Sequence, residues 1–261
     1  MALADSFDGF LVDLDGVVWV GRDPVPGAAE ALQSLLGAGK EIVFVTNNPG
    51  RPASTYAERL REIGVSVDEE RVVTAGTVTA RLAADRLGAG AGVFAIGAPA
   101  FHGSVAEAGL KLLEGDAGRE AAGVLVSGHR EFDYEELLTA TLALQGGAAL
   151  FATSRDPTLP MPGGAWPGTG AVLAAVETAS GVRAEIGGKP ERHLFDQARA
   201  LMPSADQVAM VGDRISSDID GARRAGLRTI LVLSGATSAE EAEEADPAPD
   251  HVITDLAELL R

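Results

Sequence analysis

The feature that most constrains the fold is a regular alternation of short apolar segments with longer segments of helical pattern. The apolar runs 10–12 and 41–45 have the length of buried strands. Between them, residues 26–38 have the pattern of a helix that starts at a proline. Parallel strands need crossover connections, which are usually helices. The alternation therefore predicts an α/β fold built on a parallel sheet. Further strands are predicted at 93–96, 123–126, 207–211 and 229–233, with a helix at 216–225 and a long loop over the Pro- and Gly-rich residues 157–170.

Composition narrows the function classes. The chain of 261 residues is 46% hydrophobic and contains no cysteine, so it has no disulfide and no thiolate site. No apolar run approaches the roughly 20 residues of a membrane span, and the acidic N-terminus lacks the basic region of a secretory signal. We therefore expect a cytoplasmic protein. The net charge of −17 argues against nucleic acid and anionic membranes as partners, and an anionic substrate needs a local positive group.

Two carboxylates follow the first predicted strand. Asp13 and Asp15 are separated by one residue, and alternation along a strand lets both point to the same side. In an open parallel sheet, ligands bind beyond the carboxyl ends of the strands. Two carboxylates held this close repel each other, and a divalent cation relieves the repulsion. The alternative is a simple turn, because Asp15-Gly16 is also a turn signal.

Polar groups also follow the second strand. Thr46, Asn47 and Asn48 supply a hydroxyl and two amides directly before a predicted helix. Such donors suit a phosphate group. Thr and Asn are equally common as helix N-caps, so this segment alone does not distinguish the two roles.

Two later strand ends carry charged residues. Lys189 follows two glycines and precedes a proline, whereas an isolated lysine is usually a solvated surface charge. Asp213 ends another apolar run, and Asp218 lies one helical turn further on. An aspartate there is also a common helix cap. Each signal is weak alone, but their order along the chain is specific.

That order resembles the haloacid dehalogenase-like hydrolase superfamily. The matching motifs are Asp-x-Asp-Gly at 13–16, Thr-Asn-Asn at 46–48, Gly-Lys-Pro at 188–190 and Gly-Asp-x-x-x-x-Asp at 212–218. Three longer stretches, 15–19, 24–28 and 162–170, are similar to the NagD-like class IIA branch of p-nitrophenylphosphatases and phosphoglycolate phosphatases. The resemblance covers nearly the whole chain.

The resemblance implies a Rossmann-like, doubly wound parallel sheet core with an inserted α/β cap domain. The core would comprise residues 1–79 and 186–261, and the cap residues 80–185. Two cap positions depart from the branch: His129 replaces a usual acid and Ser154 an expected Asn. The resemblance is also compatible with a homodimer formed through the cap.

The resemblance also implies a role for each motif residue in hydrolysis of a small phosphomonoester, such as phosphoglycolate or a glycerol, sugar or nucleoside phosphate. Asp13 would be the nucleophile and Asp15 the general acid and base. Mg²⁺ would bind Asp13, the backbone carbonyl of Asp15 and Asp213, with Asp218 orienting a metal-bound water. The remaining assignments concern substrate. The phosphate would be bound by Gly16, Thr46, Asn47, Asn48 and Lys189, and catalysis would also involve Thr46 and Lys189. His129 is a candidate for contact with the substrate, the alternative being a surface or core histidine.

Three other functions account for these residues less well. A signalling receiver also forms an aspartyl phosphate, but it is much shorter and carries its acidic pair well before the phosphorylated Asp. A dinucleotide-binding oxidoreductase needs Gly-x-Gly-x-x-Gly after a strand, and Gly88, Gly90 and Gly92 have neither that spacing nor that position. A catalytically idle ligand-binding protein on the same scaffold would be expected to lack a motif acid, and none is missing.

Overall fold

The computed structural model describes residues 2–161 and 164–261, and the chain divides into two compact units. The first unit comprises residues 2–46, Ala53–Val73 and Lys189–Arg261. The second comprises Asn47–Pro52 and Thr74–Gly188. Within the described residues, no helix is both long enough and apolar enough to cross a bilayer.

Strands and helices alternate as predicted. The strands are β1 (Gly9–Asp13), β2 (Trp19–Val20), β3 (Asp23–Pro24), β4 (Glu41–Thr46), β5 (Val72–Thr74), β6 (Gly92–Gly97), β7 (Lys111–Leu112), β8 (Gly123–Gly128), β9 (Ala149–Ala152), β10 (Thr158–Met161), β11 (Gly164–Pro167), β12 (Glu185–Ile186), β13 (Val208–Gly212), β14 (Arg228–Val232) and β15 (His251–Ile253). The helices are α1 (Ala28–Gly37), α2 (Ala53–Glu62), α3 (Ala75–Leu87), α4 (Pro99–Glu107), α5 (Tyr134–Gln145), α6 (Thr169–Ser180), α7 (Arg192–Ala200), α8 (Asp220–Arg224) and α9 (Ala239–Glu244).

The first unit is built on a sheet with the strand order β15-β14-β13-β1-β4-β5. The pairs β1–β13, β1–β4, β13–β14 and β14–β15 are all parallel. All five residues of β1 are buried, as expected for a central strand covered on both faces. The carboxyl ends of β1, β4 and β13 therefore lie side by side at one edge of the sheet, which positions the residues that follow them.

The second unit has its own sheet, with the order β12-β9-β8-β6-β7 and parallel pairing throughout. One face packs against a cluster that includes Val172 and Val176 of α6. The other face packs against residues of α3 and α4, including Ala83 and Phe101. The predicted α/β class therefore holds for both units, each with helices packed on its sheet.

The predicted long loop over 157–170 is wrong. Thr158–Met161 and Gly164–Pro167 form an antiparallel hairpin, with Thr158 opposite Pro167 and Met161 opposite Gly164. Proline and glycine are compatible with a short two-stranded ribbon, because its outer edge needs no ladder hydrogen bonds. Pro162 and Gly163, which belong to the motif at 162–170, lie outside the described residues.

The unit boundaries differ from the predicted core and cap limits of 79/80 and 185/186. They fall after Val73 and after Gly188, and residues 47–52 also belong to the second unit. Helix α3 explains the first difference. It starts at Ala75 with the Thr74 hydroxyl accepting from the Thr77 amide at 3.2 Å, and it packs along its length on α4 and β8. The first turn of α3 therefore belongs to the second unit.

Candidate active site

Three carboxylates meet at the carboxyl edge of the first sheet. Asp13 is the last residue of β1, and Asp213 directly follows the neighbouring strand β13. Asp218 lies one turn later, in a short π-helix over Ile215–Ile219. All three side chains are buried, and one ligand oxygen from each lies within 4.8 Å of the others. The parallel pairing of β1 and β13 thus brings together two motifs that are 200 residues apart in the chain.

Lys189 provides the positive charge at this cluster. Its Nζ lies 2.5 Å from Asp13 Oδ1 and 2.6 Å from Asp218 Oδ1, and the residue is 2% exposed. Burial alone would lower the pKa of Lys189, but the charges of Asp13 and Asp218 outweigh it and raise that pKa above its ordinary value. The lysine therefore stays protonated between the two carboxylates.

Two of these side chains, Asp13 and Asp213, have pKa values above the ordinary value of an aspartate. Burial raises the pKa of Asp13 well above its ordinary value, Lys189 opposes that rise, and Asp218 and Asp213 add to it. Burial and the charge of Asp218 also raise the pKa of Asp213 to about 6. One lysine thus faces three carboxylates, and the balance favours binding of a further cation.

The donor set fits a hard divalent cation such as Mg²⁺. The buried Oδ1 of Asp213 has no hydrogen-bond partner among the described residues, so it is available as a ligand. Carboxylate and carbonyl oxygens are the ligands that Mg²⁺ prefers. The other oxygen, Oδ2, accepts from the Ala236 amide at 2.7 Å, which fixes the rotation of the group.

Two glycines leave room for Asp213. Gly16 has a φ of +94°, in the left-handed region that favours glycine, and a Cβ there would collide with the Asp213 carboxylate. A Cβ at Gly235 would collide with the same group. Asp218 is fixed in turn, because its Oδ2 accepts from the Arg214 amide at 3.0 Å. The predicted phosphate-binding residue Gly16 is therefore also required for the close approach of two loops.

Asp15 lies just beyond β1 and is partly buried. Its Oδ1 accepts a hydrogen bond from the indole Nε1 of Trp19 at 3.0 Å. Trp19 was not predicted to be a partner of Asp15. The available signal was a tryptophan inside an apolar run, since a buried indole N–H usually needs an acceptor.

The remaining predicted site residues fall in both units. Thr46 ends β4, is 2% exposed and directly follows Val45, which is paired with Asp13. Asn47 and Asn48 belong to the second unit, where Asn47 Nδ2 donates to Asp156 Oδ2 at 3.1 Å.

His129 also belongs to the second unit. Its Nε2 lies 2.8 Å from a carboxylate oxygen of Glu136, and its Nδ1 lies 3.3 Å from Glu131. Substrate contact by Asn47, Asn48 and His129 stays a prediction.

Comparison with known proteins identifies the family. Residues 10–111 match the model of haloacid dehalogenase-like hydrolases, and residues 186–259 match a second model described as HAD-hydrolase-like. The D-glycerol 3-phosphate phosphatase of Mycobacterium tuberculosis is 37% identical over 260 residues, which is 99% of this chain and 72% of that protein.

Two solved structures are similar over nearly the whole chain. The glycerol phosphate phosphatase of Mycobacterium tuberculosis in complex with magnesium superposes with a TM-score of 0.91 at 35% identity, covering 100% of this chain and 78% of the other. The p-nitrophenyl phosphatase from Archaeoglobus fulgidus gives a TM-score of 0.89 at 30% identity, covering 97% and 98%. On this evidence, the chain belongs to the haloacid dehalogenase-like hydrolase family and is a phosphatase of its NagD-like branch.

Proposed function

We propose that this phosphatase hydrolyses small phosphate monoesters through an aspartyl phosphate on Asp13, with Mg²⁺ as cofactor. One observation carries the proposal. Asp13 lies at the carboxyl end of the central strand, within 2.5 Å of the buried Lys189 and beside two further buried carboxylates. A nucleophilic carboxylate, a fixed cation and an oxygen-rich cation site are the parts that phosphoryl transfer needs.

In this reaction, separate roles belong to Asp13, Asp15 and Lys189. Asp13 Oδ attacks phosphorus, the bond to the leaving oxygen breaks, and Asp15 donates a proton to that oxygen. Water then attacks phosphorus, the bond between phosphorus and Asp13 breaks to release phosphate, and Asp15 takes the proton that this water loses. Lys189 offsets the charge that Asp13 and the phosphate bring together. Mg²⁺, held by Asp13, Asp213 and the backbone carbonyl of Asp15, would neutralise and orient the transferred group.

The candidate substrates are chosen from those on which relatives of this chain act. The relative from Mycobacterium tuberculosis acts, by its name, on D-glycerol 3-phosphate, so a glycerol phosphate heads the panel of substrates for this chain. Phosphoglycolate, sugar phosphates and nucleoside monophosphates complete it. Every acid of the four motifs is present, and this counts against an idle binding protein on the same scaffold.

Substitution of the nucleophile Asp13 tests the proposal. Asp13→Asn keeps the shape of the side chain but removes the attacking carboxylate, so hydrolysis of p-nitrophenyl phosphate should fall to background. EDTA should abolish wild-type activity and added Mg²⁺ should restore it. Asp116→Asn, at an 89% exposed carboxylate of the second unit, is the matched control and should retain wild-type turnover. Activity of Asp13→Asn within tenfold of wild type would exclude the covalent mechanism.

Three further predictions remain: composition supports the first two, and the resemblance to the NagD-like branch supports the third. We infer a cytoplasmic location, the absence of nucleic-acid and membrane partners, and a homodimer formed through the second unit. Size-exclusion chromatography with light scattering tests the dimer, and a monomeric mass at micromolar concentration would contradict it.

A further inference from the structure

Trp19 is completely buried, yet its side chain carries one polar group. The indole N–H loses its bond to water on burial, and leaving it without an acceptor would be costly. The acceptor is the carboxylate of Asp15, whose Oδ1 lies 3.0 Å from Nε1. Oδ1 can accept this bond while Oδ2 carries the proton that a general acid must hold. This bond therefore determines where the Asp15 carboxylate is held.

The indole ring cannot easily move. The ring of Tyr56 stacks on it with a centroid separation of 6.5 Å and an interplanar angle of 7°. The guanidinium carbon of Arg59 lies 3.9 Å from the indole centroid, and Arg59 Nη2 donates to the Gly21 carbonyl at 2.7 Å. Cation–π attraction and stacking fix the ring plane, so the donor is fixed with it.

The backbone fixes the other end of the same bond. The Gly16 amide donates to the Trp19 carbonyl at 2.7 Å, and the Trp19 amide donates to the Leu14 carbonyl at 3.3 Å. Residues 14–19 thus form a closed loop in which Asp15 and Trp19 face each other. The side-chain bond engages Oδ1 of Asp15 and leaves Oδ2 outside it.

We propose that Trp19 is a positioning residue for proton transfer. Its N–H holds Asp15 Oδ1 and keeps Oδ2 in place for the proton transfers assigned to Asp15. This inference rests on the proposed function, because it concerns the general acid of that reaction. Without the N–H donor, the carboxyl group would sample several rotamers, and the fraction of molecules poised for proton transfer would fall.

The proposal predicts a dependence on the leaving group. A benzyl alkoxide leaves only when it is protonated, whereas p-nitrophenolate leaves readily without help. The loss of a correctly placed general acid therefore slows benzyl phosphate more than p-nitrophenyl phosphate. A purely structural role of Trp19 would slow both substrates by the same factor.

The test uses two variants of Trp19 in the full chain with saturating Mg²⁺. Trp19→Phe removes the N–H along with part of the ring. Site-specific replacement of Trp19 by 3-benzothienylalanine keeps the shape of the ring and lacks only the N–H, so it answers the question even if Trp19→Phe does not fold. Misplacement of the general acid should lower kcat/KM for benzyl phosphate by roughly 10- to 100-fold. The fall for p-nitrophenyl phosphate should stay below about threefold.

Controls separate this inference from the proposed function. Tyr56→Phe keeps the stacked ring and the indole N–H, so the ratio of the two substrates should not change. In an Asp15→Asn background, the 3-benzothienylalanine replacement should have no additional effect on benzyl phosphate. An equal effect on both substrates, or an effect that persists without the Asp15 carboxyl, overturns the role of Trp19. Wild-type activity of Asp13→Asn would instead overturn the proposed function.

Discussion

At the scale of single residues, Lys189 shows how one side chain determines the chemistry of a site. The chain has 38 acidic and 21 basic residues, and only three of the latter are lysines. Lys189 is buried between Asp13 and Asp218, each within 2.6 Å of its ammonium group. A compact ammonium can approach two carboxylates from different directions, whereas the flat fork of arginine suits one bidentate partner.

Lys189→Met should lower both activity and stability. The change leaves Asp13 and Asp218 buried without their cation, and breaking a buried ion pair in this way costs about 3–5 kcal/mol of unfolding free energy. Loss of a charged group that stabilises the transition state lowers kcat by about 10²–10³-fold. Urea unfolding and steady-state kinetics measure the two effects. Lys111→Met, at an exposed lysine, is the control, and equal stability of the two variants would contradict the structural role of Lys189.

Some residue contacts could be predicted from the sequence and others could not. Asp13, Lys189, Asp213 and Asp218 were predicted to act together, and the structure places them in one cluster. Asp13 and Asp213 could be found because each follows an apolar strand of the first sheet, and parallel strands end at a common edge. Lys189 follows β12 of the second sheet and Asp218 lies in a helical turn, so these two were predicted from the order of the motifs. The bond from Trp19 to Asp15 depends on side-chain rotamers within a six-residue loop, which no spacing rule describes.

At the scale of elements, α6 carries a buried carboxylate outside the candidate active site. Glu177 is 8% exposed and accepts hydrogen bonds from Arg155, Arg183 and the Ala184 amide, at 2.7–3.0 Å. The bond from Arg155, together with the Ala184 amide and Arg183, lowers the pKa of Glu177 from 4.5 to about 2, against the opposing effect of burial. The network ties the last turns of α6 to the segment that leads into β12.

Acid should weaken the second unit through Glu177. A lowered pKa means that the folded state favours the ionised form. Its contribution is therefore complete above pH 4.5 and is lost as the pH falls toward about 2. The shift corresponds to about 3 kcal/mol. Glu177→Gln should be less stable than wild type by about that amount at pH 7, and the difference should vanish near pH 2.

Urea unfolding followed by circular dichroism between pH 2 and 7 measures this difference. Glu107→Gln, at an exposed carboxylate of α4, is the control and should track wild type at every pH. A stability difference for Glu177→Gln that is independent of pH would show that packing, and not ionisation, explains its effect.

Elements were predictable where a periodic apolar pattern existed. The strands predicted at 10–12, 41–45, 123–126 and 207–211 correspond to β1, β4, β8 and β13. The hairpin β10–β11 does not, because residues 157–170 are dominated by Pro and Gly and give no alternation. The predicted helix at 216–225 is a π-helix followed by the short α8, so that Asp218 lies against Lys189. Such a local widening follows from side-chain contacts and not from helix propensity.

At the scale of the whole molecule, the predicted class, family and phosphatase activity are confirmed, since both units are built on parallel strand pairs and the chain matches phosphatases over nearly its full length. The two units of the structure meet after Val73 and after Gly188, and the core and cap limits of 79/80 and 185/186 stay a prediction. The ends of a domain depend on which contacts each turn makes, and the first turn of α3 has the same helical pattern whichever sheet it joins. The roles of individual site residues stay predictions until they are tested.

The net charge of the whole chain affects how readily an anionic substrate approaches the site. A net charge of −17 repels a phosphate monoester dianion before it reaches the site. The field of the distant acids extends about 30 Å at low ionic strength but only about 10 Å at 0.1 M salt. Lys189 is buried and acts on the phosphate at close range, so salt screens its charge much less. Added salt should therefore remove repulsion without removing the buried cation.

We expect kcat/KM for p-nitrophenyl phosphate to rise by about two- to tenfold between low and moderate ionic strength, at constant saturating Mg²⁺. The value of kcat at saturating substrate should stay constant, because the approach of the substrate no longer limits the rate once the substrate is bound. A variant with Glu240, Glu243 and Glu244 of the exposed α9 region replaced by Lys is the matched test. Each replacement removes one negative and adds one positive charge, so the net charge changes from −17 to −11 and the rise with salt should shrink. A kcat/KM that falls with salt in the wild type would show instead that local positive charge dominates the approach of the substrate.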